Sequence, residues 1–130
     1  MVTDLLDVAE GERLAALGGL DASTQADLGQ FFTPTVAASL IASMPGLPES
    51  GLLHILDPGA GSGVLSAALI ARILDERPDM LIELLAIEHD PMVIPHLMAT
   101  LTACEQVGAG RVKTRVVQAD FILDSTGLGA

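Results

Sequence analysis

The sequence predicts an α/β fold built on a parallel β-sheet, and three observations lead to this expectation. Half of the 130 residues are hydrophobic, so the chain can bury a core and has the length of one domain. From residue 52 onward, short apolar runs alternate with helix-length segments in the order strand, helix, strand, helix, strand. The first of these strands runs into a glycine-rich loop, DPGAGSG, that leads directly into a helix.

Two helices are expected before the first strand. Hydrophobic residues in the segment 4–17 recur at mixed three- and four-residue spacing, which predicts an amphipathic helix. We therefore assign residues 1–26 to an N-terminal helical segment and residues 27–130 to the main domain. The second helix, VAASLIASM, follows Thr33 as its N-cap and Pro34 at its first position.

The alternating part of the chain supplies the sheet. LLHIL, LIELLAIE and RVKTRVVQ have the length and apolar content of strands, and VLSAALIARILDE and DPMVIPHLMATLTACEQVG are expected to form the connecting helices. Ligands of parallel sheets bind outside the carboxyl ends of the strands. The clusters DPGAGSG, EHDP and QADF each follow one of these strands, so they are the candidate site.

Composition excludes several classes of function. Acidic residues outnumber basic ones 17 to 6, and the net charge of -11 is a poor match for a phosphate backbone. The single cysteine excludes an internal disulfide framework and fits a cytoplasmic protein. No apolar run approaches the roughly 20 residues of a membrane helix, so no membrane partner is expected. The three histidines show no metal-ligand spacing, so no metal site is predicted.

The glycine loop is the strongest chemical signal. Glycines at every second position allow positive φ angles and keep side chains away from a ligand, while the following helix offers free N–H groups to an anion. A dinucleotide fingerprint requires Gly or Ala three residues after Gly61, where this chain has Val64. A glycine turn without a ligand is the less favoured alternative, because Asp57 places an acid just ahead of the loop.

The other two strand ends complete a nucleoside site. Glu88 ends the second strand, where a carboxylate can accept hydrogen bonds from both hydroxyls of a ribose. A strand-end glutamate alone is more often merely solvated, and the glycine loop upstream shifts the interpretation toward ribose binding. Asp120 can accept from the exocyclic amine of an adenine while Phe121 covers a ring face. The three ends together predict a nucleoside with a carboxylate-bearing tail.

These motifs resemble those of S-adenosylmethionine-dependent methyltransferases. DPGAGSG, the acid of AIEHDP and QADF are similar to the cofactor motifs of that superfamily. LGQFFTP, ahead of the loop, resembles the corresponding segment of the adenine-N6 DNA methyltransferases of restriction-modification systems, and this combination is more specific than the loop alone. The resemblance covers residues 27 to 123. It implies the N-terminal half of a Rossmann-like methyltransferase fold, with helices on both faces of the sheet.

The resemblance also implies a cofactor, S-adenosyl-L-methionine, and its contacts. The FFTP segment would lie against the methionine part, the glycine loop would approach the amino and carboxylate groups, and the two later strand ends would hold ribose and adenine. The implied cofactor-binding residues are Phe31, Thr33, Pro34, Asp57, Gly59, Ala60, Gly61, Glu88, His89, Asp120 and Phe121.

One departure from the family limits the functional prediction. The family's Asn-Pro-Pro-aromatic motif follows a fourth strand and holds the target amine, whereas this chain contains no asparagine. The catalytic motif, the remaining strands and the target-recognition domain would all follow Ala130. We therefore expect an N-terminal piece without catalytic residues, inactive alone, whose complete form contacts DNA through other regions and pairs with a restriction or specificity subunit.

Two alternatives remain open from the sequence. A protein-glutamine methyltransferase uses a related Asn-Pro-Pro-Tyr loop, although GQFFTP tells against it. A non-catalytic module that binds the cofactor or holds a partner subunit is the second.

In the family that the chain resembles, the third strand is outermost and the first strand pairs with the missing fourth. LLHIL is therefore expected to form an open edge.

Overall fold

The computed structural model describes residues 2–18 and 35–120. Phe31, Thr33, Pro34 and Phe121, which the sequence assigns to the site, lie outside the described residues. The elements of this part are α1 (Val2–Gly18), α2 (Thr35–Ala42), β1 (Leu52–Pro58), α3 (Val64–Glu76), β2 (Leu81–Glu88), α4 (Ile94–Gly108) and β3 (Val112–Gln118). They follow one another in the alternating order that the sequence predicts.

The three strands form a parallel sheet in the order β1-β2-β3. The register places Leu53 beside Ile82, and Ile82 beside Val112. β2 is therefore the central strand, and β1 is an edge strand among the described residues. The expected Rossmann-like order of strands is confirmed.

The two faces of the sheet differ in what covers them. Ile82, Leu84 and Ala86 of β2 are buried in one continuous core with residues of all four described helices. On the opposite face, Leu56 and Leu81 leave about half of their side-chain surface exposed. The helices of the described part therefore lie on one face, whereas helices on both faces are expected from the resemblance.

Strand order explains this one-sided arrangement. The chain moves from β1 to β2 to β3 in a single direction across the sheet. Crossovers between parallel strands of one sheet are right-handed as a rule. Two right-handed crossovers in the same direction place their helices on the same face. A helix on the other face requires a connection that runs back past β1, as at the switch point of a doubly wound sheet.

The N-terminal helix belongs to the same core. Leu5 and Ala9 of α1 are fully buried, and α1 packs against α3 and α4. The Glu10 carboxylate accepts hydrogen bonds from Arg13 of its own helix and from the Thr35 hydroxyl of α2, and these bonds lower the pKa of Glu10 to about 2.

None of the helices in the described ranges has both the length and the apolar character needed to span a bilayer.

Candidate functional site

The glycine loop folds back over the end of the central strand. Gly59, Gly61 and Gly63 have φ angles of 92°, 56° and 89°, which side-chain-bearing residues rarely adopt. The N–H groups of Gly59 and Ala60 both donate to the carbonyl oxygen of Ile87, at 2.7 and 2.9 Å. A Cβ atom on Gly59 would meet no atom within 4 Å, so open space lies beside the loop at this point.

Glu88 fastens this loop to β2. Glu88 is only 7% exposed, and its Oε1 accepts a hydrogen bond from the Gly61 N–H at 2.9 Å. Oε2 accepts from the N–H groups of His89 and Asp90, at 3.1 and 3.0 Å. A carboxylate offers about four acceptor positions, so three are already engaged. The contact with two ribose hydroxyls stays a prediction, and it requires one of these N–H groups to give up its bond.

The end of β3 meets the same point. Gln118 is the register partner of Glu88, and the Ala119 N–H donates to the Glu88 carbonyl oxygen at 3.0 Å. Asp120, half-buried, follows directly. His89 is mostly exposed, with its Nδ1 3.5 Å from Oε2 of Glu88. The structure thus brings together the three strand ends that the sequence singles out, with Glu88 at their centre.

Asp57 has a partner that the sequence analysis does not identify. The Ser66 hydroxyl, on the first turn of α3, donates to Oδ2 of Asp57 at 2.5 Å. Burial raises the pKa of Asp57, the Ser66 hydrogen bond lowers it in part, and the charge of Glu88 raises it. The available signal is a polar residue in the otherwise apolar start of a helix, VLSAALIA, nine residues after the aspartate.

Gly63 serves packing rather than the open side of the loop. It is the N-cap residue of α3, and its N–H donates to the Ala60 carbonyl at 3.0 Å. A Cβ atom there would lie 3.0 Å from Leu97 and 3.1 Å from Thr100 of α4. The third glycine of the loop therefore lets α3 and α4 approach closely.

The remaining candidates lie away from these strand ends. His54 pairs with Glu83 across neighbouring strands, with Nδ1 3.2 Å from Oε2, and both lie on the exposed face of the sheet. The same face carries an open hollow of about 560 Å³, lined in part by Leu56, Leu85 and Arg115. Within residues 2–18 and 35–120, no group of three or more His, Cys, Asp or Glu side chains is placed to hold a metal ion.

Comparison with known proteins relates this geometry to a methyltransferase. The chain matches no protein-family model. It is similar to the Type II methyltransferase M.BsuBI of Bacillus subtilis, with 29% identity over 121 residues. The match covers 93% of this chain but only 23% of the relative's length. It supports a relationship to methyltransferases, and the described fold is that of the N-terminal half of a Rossmann-like methyltransferase.

Proposed function

We propose that this chain is the S-adenosyl-L-methionine-binding portion of a DNA methyltransferase that acts on the N6 amine of adenine. The observation that carries the proposal is the glycine loop, which is bonded onto the end of β2 and bordered by open space at Gly59. Such a loop brings backbone, rather than side chains, to the surface of a ligand. When bound, the cofactor supplies an electrophilic methyl group on its sulfonium.

The charges at the strand ends fit this cofactor. S-Adenosyl-L-methionine carries a positive sulfonium and a positive ammonium, and the ends of β1 and β2 present the carboxylates of Asp57 and Glu88. Asp57 would pair with the ammonium, and Glu88 would accept from ribose. Asp120 would accept from the adenine amine. Because a carboxylate strengthens its hydrogen bonds by its charge, these acids would orient the cofactor as well as attract it.

The choice of adenine N6 depends on the sequence rather than on the described site. LGQFFTP ahead of the loop resembles the adenine-N6 enzymes, and the relative with 29% identity is a Type II methyltransferase. DNA contact is assigned to other parts of the protein, because this chain has a net charge of -11. A restriction or specificity subunit is the further expected partner.

Calorimetric titration of the 130-residue chain with S-adenosylhomocysteine, the product form of the cofactor, tests the site. We expect binding to the wild-type chain, none of a nicotinamide dinucleotide, and at least a tenfold loss in Gly61→Val. Gly110→Val is the matched control, because Gly110 also has a positive φ but lies in the turn before β3. Binding of the dinucleotide, with no response to S-adenosylhomocysteine, would overturn the proposal.

The methylated base is tested separately. The reading frame that encodes this chain and whatever follows it would be expressed in a host that lacks DNA methylation. The DNA nucleosides and the peptides of the host would then be analysed by mass spectrometry. We expect N6-methyladenine, and an Asn-Pro-Pro-aromatic motif in the downstream frame. Methylcytosine, methylated protein glutamine, or the absence of any methylated product would assign the site to another enzyme or to a non-catalytic module. The 130-residue chain alone is expected to transfer no methyl group.

A further inference from the structure

We propose that Ser66 is a positioning residue, whose hydroxyl holds the Asp57 carboxylate in the orientation that receives the ammonium of the bound cofactor. This inference rests on the proposed function and adds to it a residue that lies outside the strand-end motifs. Ser66 acts through Asp57 and does not itself touch the cofactor.

The geometry gives Asp57 a fixed hydrogen-bond donor. The Ser66 hydroxyl lies 2.5 Å from Oδ2 of Asp57, and Ser66 is itself only 3% exposed. The start of α3 is held by the bond from the Ala67 N–H to the Gly63 carbonyl at 2.9 Å. Because Ser66 is buried in the first turn of α3, its hydroxyl holds Oδ2 of Asp57 in place, and Oδ1 would receive the ligand.

The apolar surroundings of Asp57 make the Ser66 hydroxyl important for keeping the carboxylate charged. A hollow of about 180 Å³ beside Asp57 and Ser66 is lined otherwise by apolar side chains and a proline: Ile55, Leu56, Pro58, Leu65 and Leu69. A carboxylate in such surroundings loses hydration, which disfavours its charged form. A hydrogen bond to the charged form opposes that loss, and the Ser66 hydroxyl supplies it.

The charges near Asp57 also disfavour the ionised form of its carboxyl group. Glu88, from β2, raises the pKa of Asp57, and burial raises it more strongly. The first two turns of α3, residues 64–71, contain no charged residue that could offset this effect. The Ser66 bond lowers the pKa of Asp57. It therefore extends the pH range in which the carboxylate is charged and can pair with an ammonium.

Carbon-13 titration of the Asp57 carboxyl in the ligand-free chain tests the contact directly. We expect the midpoint to move to higher pH in Ser66→Ala and to return toward the wild-type value in Ser66→Thr, which restores a hydroxyl. Thr100→Val is the control, because it removes a buried hydroxyl that bonds the His96 carbonyl instead of a carboxylate. An unchanged midpoint in Ser66→Ala would overturn the inference.

Affinity for S-adenosylhomocysteine as a function of pH tests the consequence for binding. In Ser66→Ala the affinity should fall at every pH, because the carboxylate is no longer held in place. The loss should be largest, about tenfold, at the acid end of the profile, where Asp57 also takes up a proton more readily. On an Asp57→Asn background, Ser66→Ala should cause no further pH-dependent loss. A loss of equal size at every pH would indicate a merely structural role and overturn the inference. If the wild-type chain does not bind S-adenosylhomocysteine, the proposed function is overturned. The ligand-free titration still tests the contact between Ser66 and Asp57 in that case, so the two failures can be told apart.

Discussion

Replacing Glu88 by alanine should destabilise the fold through the glycine loop, before any effect on a ligand. The carboxylate accepts the N–H groups of Gly61, His89 and Asp90 at 2.9–3.1 Å. Hydrogen bonds to a charged group contribute about 1.5–3 kcal/mol each. Water can replace the carboxylate at the exposed His89, so the three losses do not add in full. We expect the free energy of unfolding to fall by about 2–3 kcal/mol, and the Tm by about 6–15 °C.

Glu83→Ala is the matched control, because Glu83 lies on the same strand but on the exposed face. Its carboxylate pairs with His54, and the two side chains are 44% and 71% exposed, so the loss should stay below about 1 kcal/mol. Unfolding would be followed by far-ultraviolet circular dichroism, since the chain lacks Trp and Tyr for fluorescence. Amide exchange at Gly61 should accelerate only in Glu88→Ala. Equal losses in the two variants would refute the assigned role of Glu88 in holding the loop.

Two further predictions concern packing and association. In urea unfolding, Gly63→Ala should lower the free energy of unfolding by about 1–3 kcal/mol more than Gly51→Ala. Both glycines have a positive φ, but only at Gly63 would a Cβ atom press against α4. Equal losses in the two variants would mean that α4 moves away freely. The wild-type chain should self-associate in sedimentation experiments through the edge and bare face of β1, and Leu56→Lys, at a side chain that is 51% exposed, should reduce this association. A wild-type chain that stays monomeric across the concentration series would contradict the second prediction.

The elements with strong local signals were predictable from the sequence. The expected segments VLSAALIARILDE and LIELLAIE coincide with α3 and β2. A glycine loop precedes α3, and Arg77-Pro78 follows it, so both of its ends are marked in the chain. α4 begins at Ile94, later than the expected segment from Asp90, because Asp90 and Pro91 form the turn that leaves β2.

The site was predictable only in part, because its contacts depend on three-dimensional register. The sequence indicates that Asp57, Glu88 and Asp120 follow strands, and parallel pairing then brings those ends together. It does not indicate that Glu88 would bond the Gly61 N–H, since that contact depends on how the loop turns back over β2. The bond from Ser66 to Asp57 likewise joins a helix face to a strand end, and no spacing rule predicts it.

The proposed cofactor site and the exposed apolar residues lie on opposite faces of the sheet. Asp57 lies in register with Ala86 on the face that the helices cover, and Glu88 is buried on that same face. Within residues 35–120, hydrogen bonds join the loop to β2, and a further bond joins Asp57 to Ser66 of α3. Leu56 and Leu81 point to the opposite face and take no part in them. We therefore expect a substitution on the exposed face to change association while leaving the loop geometry intact.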